Sequence, residues 1–116
     1  MFNVEPSPAS WAWFAGLFEG QGSVVLHRSS RWRCRFQLKT TDHDVADLTL
    51  QRIGGSVFGP YAYRSSDGHE RKPFWLWVSD GLNPHQLSRH MWPWLGERRR
   101  QKLRAFGLEP DLGSVP

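Results

Sequence analysis

Trp11-Ala12-Trp13-Phe14-Ala15-Gly16-Leu17-Phe18-Glu19-Gly20-Gln21-Gly22-Ser23-Val24-Val25 is the stretch around which the chain is organised. It reads as the last turns of a helix, a glycine-punctuated turn and the start of a strand. Pro8 after Ser7, or Ser10 as a cap, opens the helix. Ala12, Ala15, Gly16 and Glu19 fall at i, i+3, i+4 and i+7, placing three small residues and one carboxylate on a single face. Such a face is too small to fill a core, but it lets another backbone come close. Gly20 and Gly22 bracket Gln21, so a sharp turn exposing Gln21 at the helix end is expected. A strand follows from Ser23 to Arg28.

After a tight connection at Ser29-Ser30, residues 31–39 alternate strictly. Arg31, Arg33, Arg35, Gln37 and Lys39 take the odd positions, and Trp32, Cys34, Phe36 and Leu38 the even ones. This is the pattern of a half-buried strand with its apolar face on the core. Like charges along one face repel in water, whereas a duplex groove rewards them. Arg pairs with guanine edges, Gln with adenine and Lys with phosphate, and a two-stranded ribbon fits the major groove. Ser23, Val25, His27 and Ser29 of the preceding strand would share that face. The plain alternative is a solvated strand.

Downstream, Asp42 caps a helix from His43 to about Ile53 whose buried side is Val45, Leu48, Leu50 and Ile53. Gly54-Gly55 ends it. Strands are expected over 56–64, interrupted at Gly59-Pro60, and over 72–79, with a polar loop at 65–71 between them. The second of these is apolar on both faces, so alternation does not assign its sides. Asn83-Pro84 opens a further helix with Leu87 and Met91 in its stripe, and residues 97–106 form the last.

The chain has 116 residues, the size of one domain with a core of its own (about 8–106, with a frayed tail at 107–116). Seven Trp and seven Phe argue for a folded chain. No run of about 18 apolar residues suggests a membrane span, and no signal segment is visible, so a cytoplasmic protein is expected, or an organellar one if an organelle intron encodes it. Cys34 has no partner for a disulfide, and the five histidines lack ligand spacing. Ten of the fifteen basic side chains sit in two acid-free windows, 28–39 and 98–104, the footprint of a polyanion partner. Many small basic proteins merely carry solvated charge runs.

Phe14 to Gly22 resembles the nine-residue signature of the LAGLIDADG homing endonucleases. The order helix, strand, strand, helix, strand, strand, helix, helix resembles the αββαββα half of that family with an added C-terminal helix. The resemblance covers roughly residues 8–106 and implies an α+β fold whose four-stranded antiparallel saddle binds DNA. Only one signature copy is present, so it implies a homodimer packed through Ala12, Ala15, Gly16 and Glu19, on a pseudo-palindromic duplex of roughly 20 base pairs. It implies Mg2+-dependent phosphodiester cleavage, with position 21 holding the metal beside the Gly20 carbonyl.

One departure matters. Position 21 is Gln where the family has Asp or Glu, and a neutral amide loses most of its attraction for a divalent cation. The chain is therefore expected to cut DNA poorly or not at all, read first as engineered inactivation and second as natural loss. Glu19 is a candidate substitute ligand, with capping or packing the better reading. Pro93-Trp94-Leu95 resembles the segment that precedes the family's basic residue near the scissile phosphate, which points to Arg98. The plain alternative for Arg98 is nonspecific phosphate contact. Thr40 matches a water-organising position at the end of the second strand. Arg64, Arg99 and Arg100 complete the expected DNA contacts. The alternatives are a non-cleaving DNA-binding regulator and an RNA-splicing maturase, the latter less suited because the A-form major groove is deep.

Overall fold

The computed structural model describes residues 6–62, 68 and 72–111. Helix α1 (Pro8–Gln21) starts where Ser7 accepts from the Ser10 backbone N–H at 3.1 Å with Pro8 in the first turn. It does not turn off at the glycines: the helix runs through Gln21 and β1 (Gly22–Leu26) begins at the next residue. Gly22 has φ −87°, which any residue adopts, so the sharp-turn reading of this glycine is corrected. It is needed for space, because a Cβ there would overlap the Phe18 ring. Gly22→Ala should lower stability by about 1–3 kcal/mol in urea unfolding through overpacking. Gly20→Ala, whose Cβ meets no heavy atom within 4 Å, should not.

Strand β2 covers Cys34–Thr40, so the predicted strand from Arg31 is three residues too long at its start. The His27 N–H donates to the Arg33 carbonyl, Ser30 to His27 and Arg33 to Ser30, closing a loop that holds Ser29, Arg31 and Arg33. Arg33 sits at φ 66°, which no strand tolerates. His27 and Ser29 likewise fall beyond the end of β1. The alternation of 31–33 was real as a pattern but was overridden by this hydrogen-bonded loop.

Among the described residues, four helices and a 3-10 turn accompany a fully antiparallel sheet in the order β1-β2-β4-β3. The remaining elements are α2 (His43–Arg52), β3 (Ser56–Tyr61), β4 (Phe74–Val78), α3 (Pro84–Met91), the 3-10 turn Trp92–Trp94 and α4 (Glu97–Ala105). The polar loop expected at 65–71 lies outside the described residues apart from Gly68. The core lies between the helices and one face of the sheet. Phe14 meets Trp77 edge-on at 5.1 Å and Phe18 stacks on Phe36 at 5.1 Å, all four fully buried or nearly so. Trp77 also donates from Nε1 to the Gly54 carbonyl at 2.7 Å.

Two expectations for α2 are corrected. Its buried side is Ala46 and Thr49, continued by Ile53, while Leu50 is exposed. Thr49 can be buried because its hydroxyl donates to the Val45 carbonyl at 2.8 Å. Asp42 occupies the cap position but makes no side-chain capping bond, and its own N–H donates to the Thr40 hydroxyl at 3.0 Å. Residues 107–111 are the described part of the tail. Leu108 is buried, and its carbonyl accepts from the buried Ser88 hydroxyl at 2.6 Å.

Candidate nucleic-acid interface

Pairing register sorts the sheet into two faces. Gly22, Val24 and Leu26 lie opposite Leu38, Phe36 and Cys34, and Leu38 in turn lies opposite Trp77. Trp77 and Phe36 meet the α1 aromatics, so this set faces the helices. The other face points away from them. On it Ser23 pairs with Gln37, Val25 with Arg35, Lys39 with Leu76 and Phe58 with Leu76 from the far side. The register thus brings Ser23, Val25, Arg35, Gln37 and Lys39 together on one surface. Arg31 and Arg33 stand at the loop end, and Arg64 lies outside the described residues.

Sides that alternation left open on β4 are now assigned. Trp75 and Trp77 point toward the helices, where His43 stacks on Trp75 at 4.6 Å. Phe74 and Leu76 point outward, joined by Phe58 and Tyr61 of β3 across a register shift at Gly59-Pro60, while Val78, of the same parity, is fully buried. Sequence reasoning missed this apolar half of the face, because only the strand pairing reveals it.

The basic window on α4 divides by what each side chain already holds. Arg99 donates from Nε and Nη2 to the Glu19 carbonyl at 3.3 and 3.1 Å, and its Nε is 3.3 Å from the Glu19 carboxylate. Arg100 donates twice to the Trp92 carbonyl, at 3.2 and 2.7 Å. Arg104 bridges Glu97 and Glu109, and these two carboxylates, Glu109 first, push its guanidinium further into the charged form. Arg99 and Arg100 therefore brace the helices, contrary to a purely DNA-facing role. Arg98 and Lys102 line a groove with Ser23, Val24 and Ala105, beside the start of β1.

At the end of α1, Gln21 and Gly20 are exposed, two positions before Ser23. Glu19, the one acid in the helix, accepts a hydrogen bond from the Gly96 N–H and meets Arg99, which seats the N-terminus of α4. It is a capping side chain, as the better of its two readings has it. Thr40 is buried on the helix side, with its hydroxyl taken by Asp42. Among the described residues no three His, Cys, Asp or Glu side chains converge on a metal-sized site. With Glu19 engaged, position 21 offers a neutral amide and backbone carbonyls, a set that does not fit tight Mg2+ binding. Burial pushes the Cys34 thiol up, so it stays protonated and is no nucleophile.

The small-residue face of α1 is split too. Ala15 is fully buried in the chain's own core and so closed to a partner, while the Glu19 carboxylate is held by α4 with its side chain partly exposed. Ala12 is half-buried and Gly16 exposed, with no heavy atom within 4 Å of a Cβ built on Gly16. The open stripe is Ala9, Ala12, Gly16 and Gly20.

By sequence, no protein-family model and no curated protein matches the chain. By structure it is similar to the archaeal intron-encoded homing endonuclease I-Vdi141I, solved with DNA, at TM-score 0.50 and 14% identity over 82% of this chain and 63% of that one. It is similar to the same degree to the homing endonuclease I-CvuI, solved in the presence of magnesium on an uncleaved I-CreI target, over 85% of this chain and 64% of that one. The chain spans less than two thirds of either neighbour. With its α+β order, four-stranded antiparallel sheet and helical layer, the chain has the homing endonuclease fold.

Proposed function

We propose that the chain is a site-specific double-stranded DNA-binding protein of the homing endonuclease type, working as a homodimer, in which Gln21 suppresses metal-dependent cleavage. The observation that carries this reading is the outward sheet face. Ser23, Arg35, Gln37 and Lys39 are held in register on a rigid antiparallel ribbon, with groups suited to guanine, adenine and phosphate. Arg98 and Lys102, in the groove beside Ser23, add cationic contacts for the backbone. Both structural neighbours are complexes with DNA, which supports DNA as the partner.

One chain presents a single ribbon, and a pseudo-palindromic site needs two. The open stripe Ala9, Ala12, Gly16 and Gly20 lets the α1 helices of two copies approach closely, which would set both Gln21 side chains side by side at the centre of the duplex. Gly16→Leu tests this cleanly. Space around Gly16 is open, so the variant should fold, and replacing a helical glycine adds roughly 0.5–1 kcal/mol of helix propensity. In sedimentation at micromolar concentration the parent chain should run as a dimer and the variant as a monomer. Selection from a randomised duplex library should return a pseudo-palindrome of about 20 base pairs with the parent chain. A monomeric parent that selects no duplex would remove this reading.

A further inference from the structure

The outward face is chemically split in a way the duplex-binding reading does not by itself require. Its β1–β2 half carries Ser23, Arg35, Gln37 and Lys39, and its β3–β4 half carries Phe58, Tyr61, Phe74 and Leu76. Phe58 and Tyr61 are 46% and 43% exposed, high values for large apolar side chains on a sheet. The apolar half adjoins Lys39 on the same surface of a chain of net charge +4, so a polyanion approaching the polar half also covers the apolar one.

The ring geometry decides what such a partner must present. Lys39 Nζ sits 4.6 Å over the Phe74 ring, so that face is already covered. Tyr61 and Phe74 lie 5.4 Å apart, tilted 38°, in contact with each other and leaving no gap for a base between them. The patch therefore offers apolar carbon with no slot between its paired rings for a base to enter. In the major groove of a duplex the apolar group that matches it is the thymine C5-methyl.

We infer that the two halves read different base pairs: Phe58, Tyr61 and Leu76 select thymine methyls, while Arg35 and Gln37 select purine edges. Phe58 and Leu76 are register partners, so they form one contiguous contact for neighbouring thymines. Each half-site then has a thymine-requiring segment beside a purine-requiring one. This inference rests on the duplex-binding reading and names its specificity.

The test replaces thymine by deoxyuridine, which removes the methyl and keeps every hydrogen-bonding group. The parent chain is titrated against its library-selected duplex and against copies carrying deoxyuridine at one thymine at a time. Binding should weaken about threefold to fourfold per lost methyl contact, at one cluster of positions in each half-site. Phe58→Ser, at an exposed position, should lose the deoxyuridine penalty at the thymine that Phe58 contacts and keep it where Tyr61 or Leu76 makes the contact. Equal parent binding to every substituted duplex overturns the methyl readout while duplex selection still stands. A Phe58→Ser chain that keeps the full deoxyuridine penalty at every position overturns it as well. Failure to select any duplex overturns both readings together.

Discussion

Gln21→Glu is expected to turn the chain into a magnesium-dependent nuclease, with cleavage of its selected duplex rising by at least about a hundredfold. The substitution exchanges one amide nitrogen for an oxygen at an exposed helix end, so it changes charge and leaves packing alone. In the proposed dimer it supplies two carboxylates at the centre, where the parent has two neutral amides. Magnesium selects hard, charged oxygen ligands, and neutral ones retain it weakly. Glu19 does not substitute, because its carboxylate is held by the Gly96 N–H and Arg99. Arg98→Ala in the Gln21→Glu background should lower cleavage again while weakening binding only modestly, since Arg98 lines the groove beside Ser23 without bracing a helix. Both reactions are read on one gel, with and without magnesium. A Gln21→Glu chain that binds its duplex and leaves it intact would make the protein a DNA-binding regulator.

Trp77→Ala should destabilise the fold by about 3–5 kcal/mol, enough to leave a domain of this size largely unfolded at moderate urea. The side chain is fully buried at the centre of the sheet, edge-on to Phe14, and its removal opens a cavity that helices on one side and strands on the other cannot close. The loss also strips the Gly54 carbonyl of its 2.7 Å partner at the end of α2. Gly55 lies so close to the indole that a Cβ built there would come within 2.8 Å of Nε1, so the α2–β3 connection is moulded around this tryptophan. Trp77→Phe separates the two contributions, since it keeps much of the volume and loses the donor. It should fall between parent and Trp77→Ala in chemical denaturation. A Trp77→Ala chain of parental stability would mean that the core does not depend on this ring.

How far the site could be read in advance differs from one element to the next. Within the alternation read over 31–39, the part from Cys34 to Lys39 placed Arg35, Gln37 and Lys39 on the outward face, because a strand's side-chain period is a local property of its backbone. The same alternation failed over Arg31–Arg33, where hydrogen bonds among His27, Ser30 and Arg33 favour a loop and set Arg33 at positive φ. Phe74 to Val78 carries no alternation, and its outward residues emerged only from pairing with β2 and β3. The clustered charges of α4 looked uniformly like a DNA surface. Arg99 and Arg100 turned inward to carbonyls of Glu19 and Trp92, residues 80 and 8 positions away.

The sequence by itself determined the order of helices and strands, the helix before Gly22, the polar side of β2 and the neutral amide at position 21. Each follows from residue identity and from periods of 2 and 3.6 that a short segment carries alone. Only the tertiary structure decided which small residues of α1 remain open, which arginines are free and which aromatics face outward. Those outcomes depend on what packs against each side chain, and burial and register are set by partners distant in the chain, which no local period encodes.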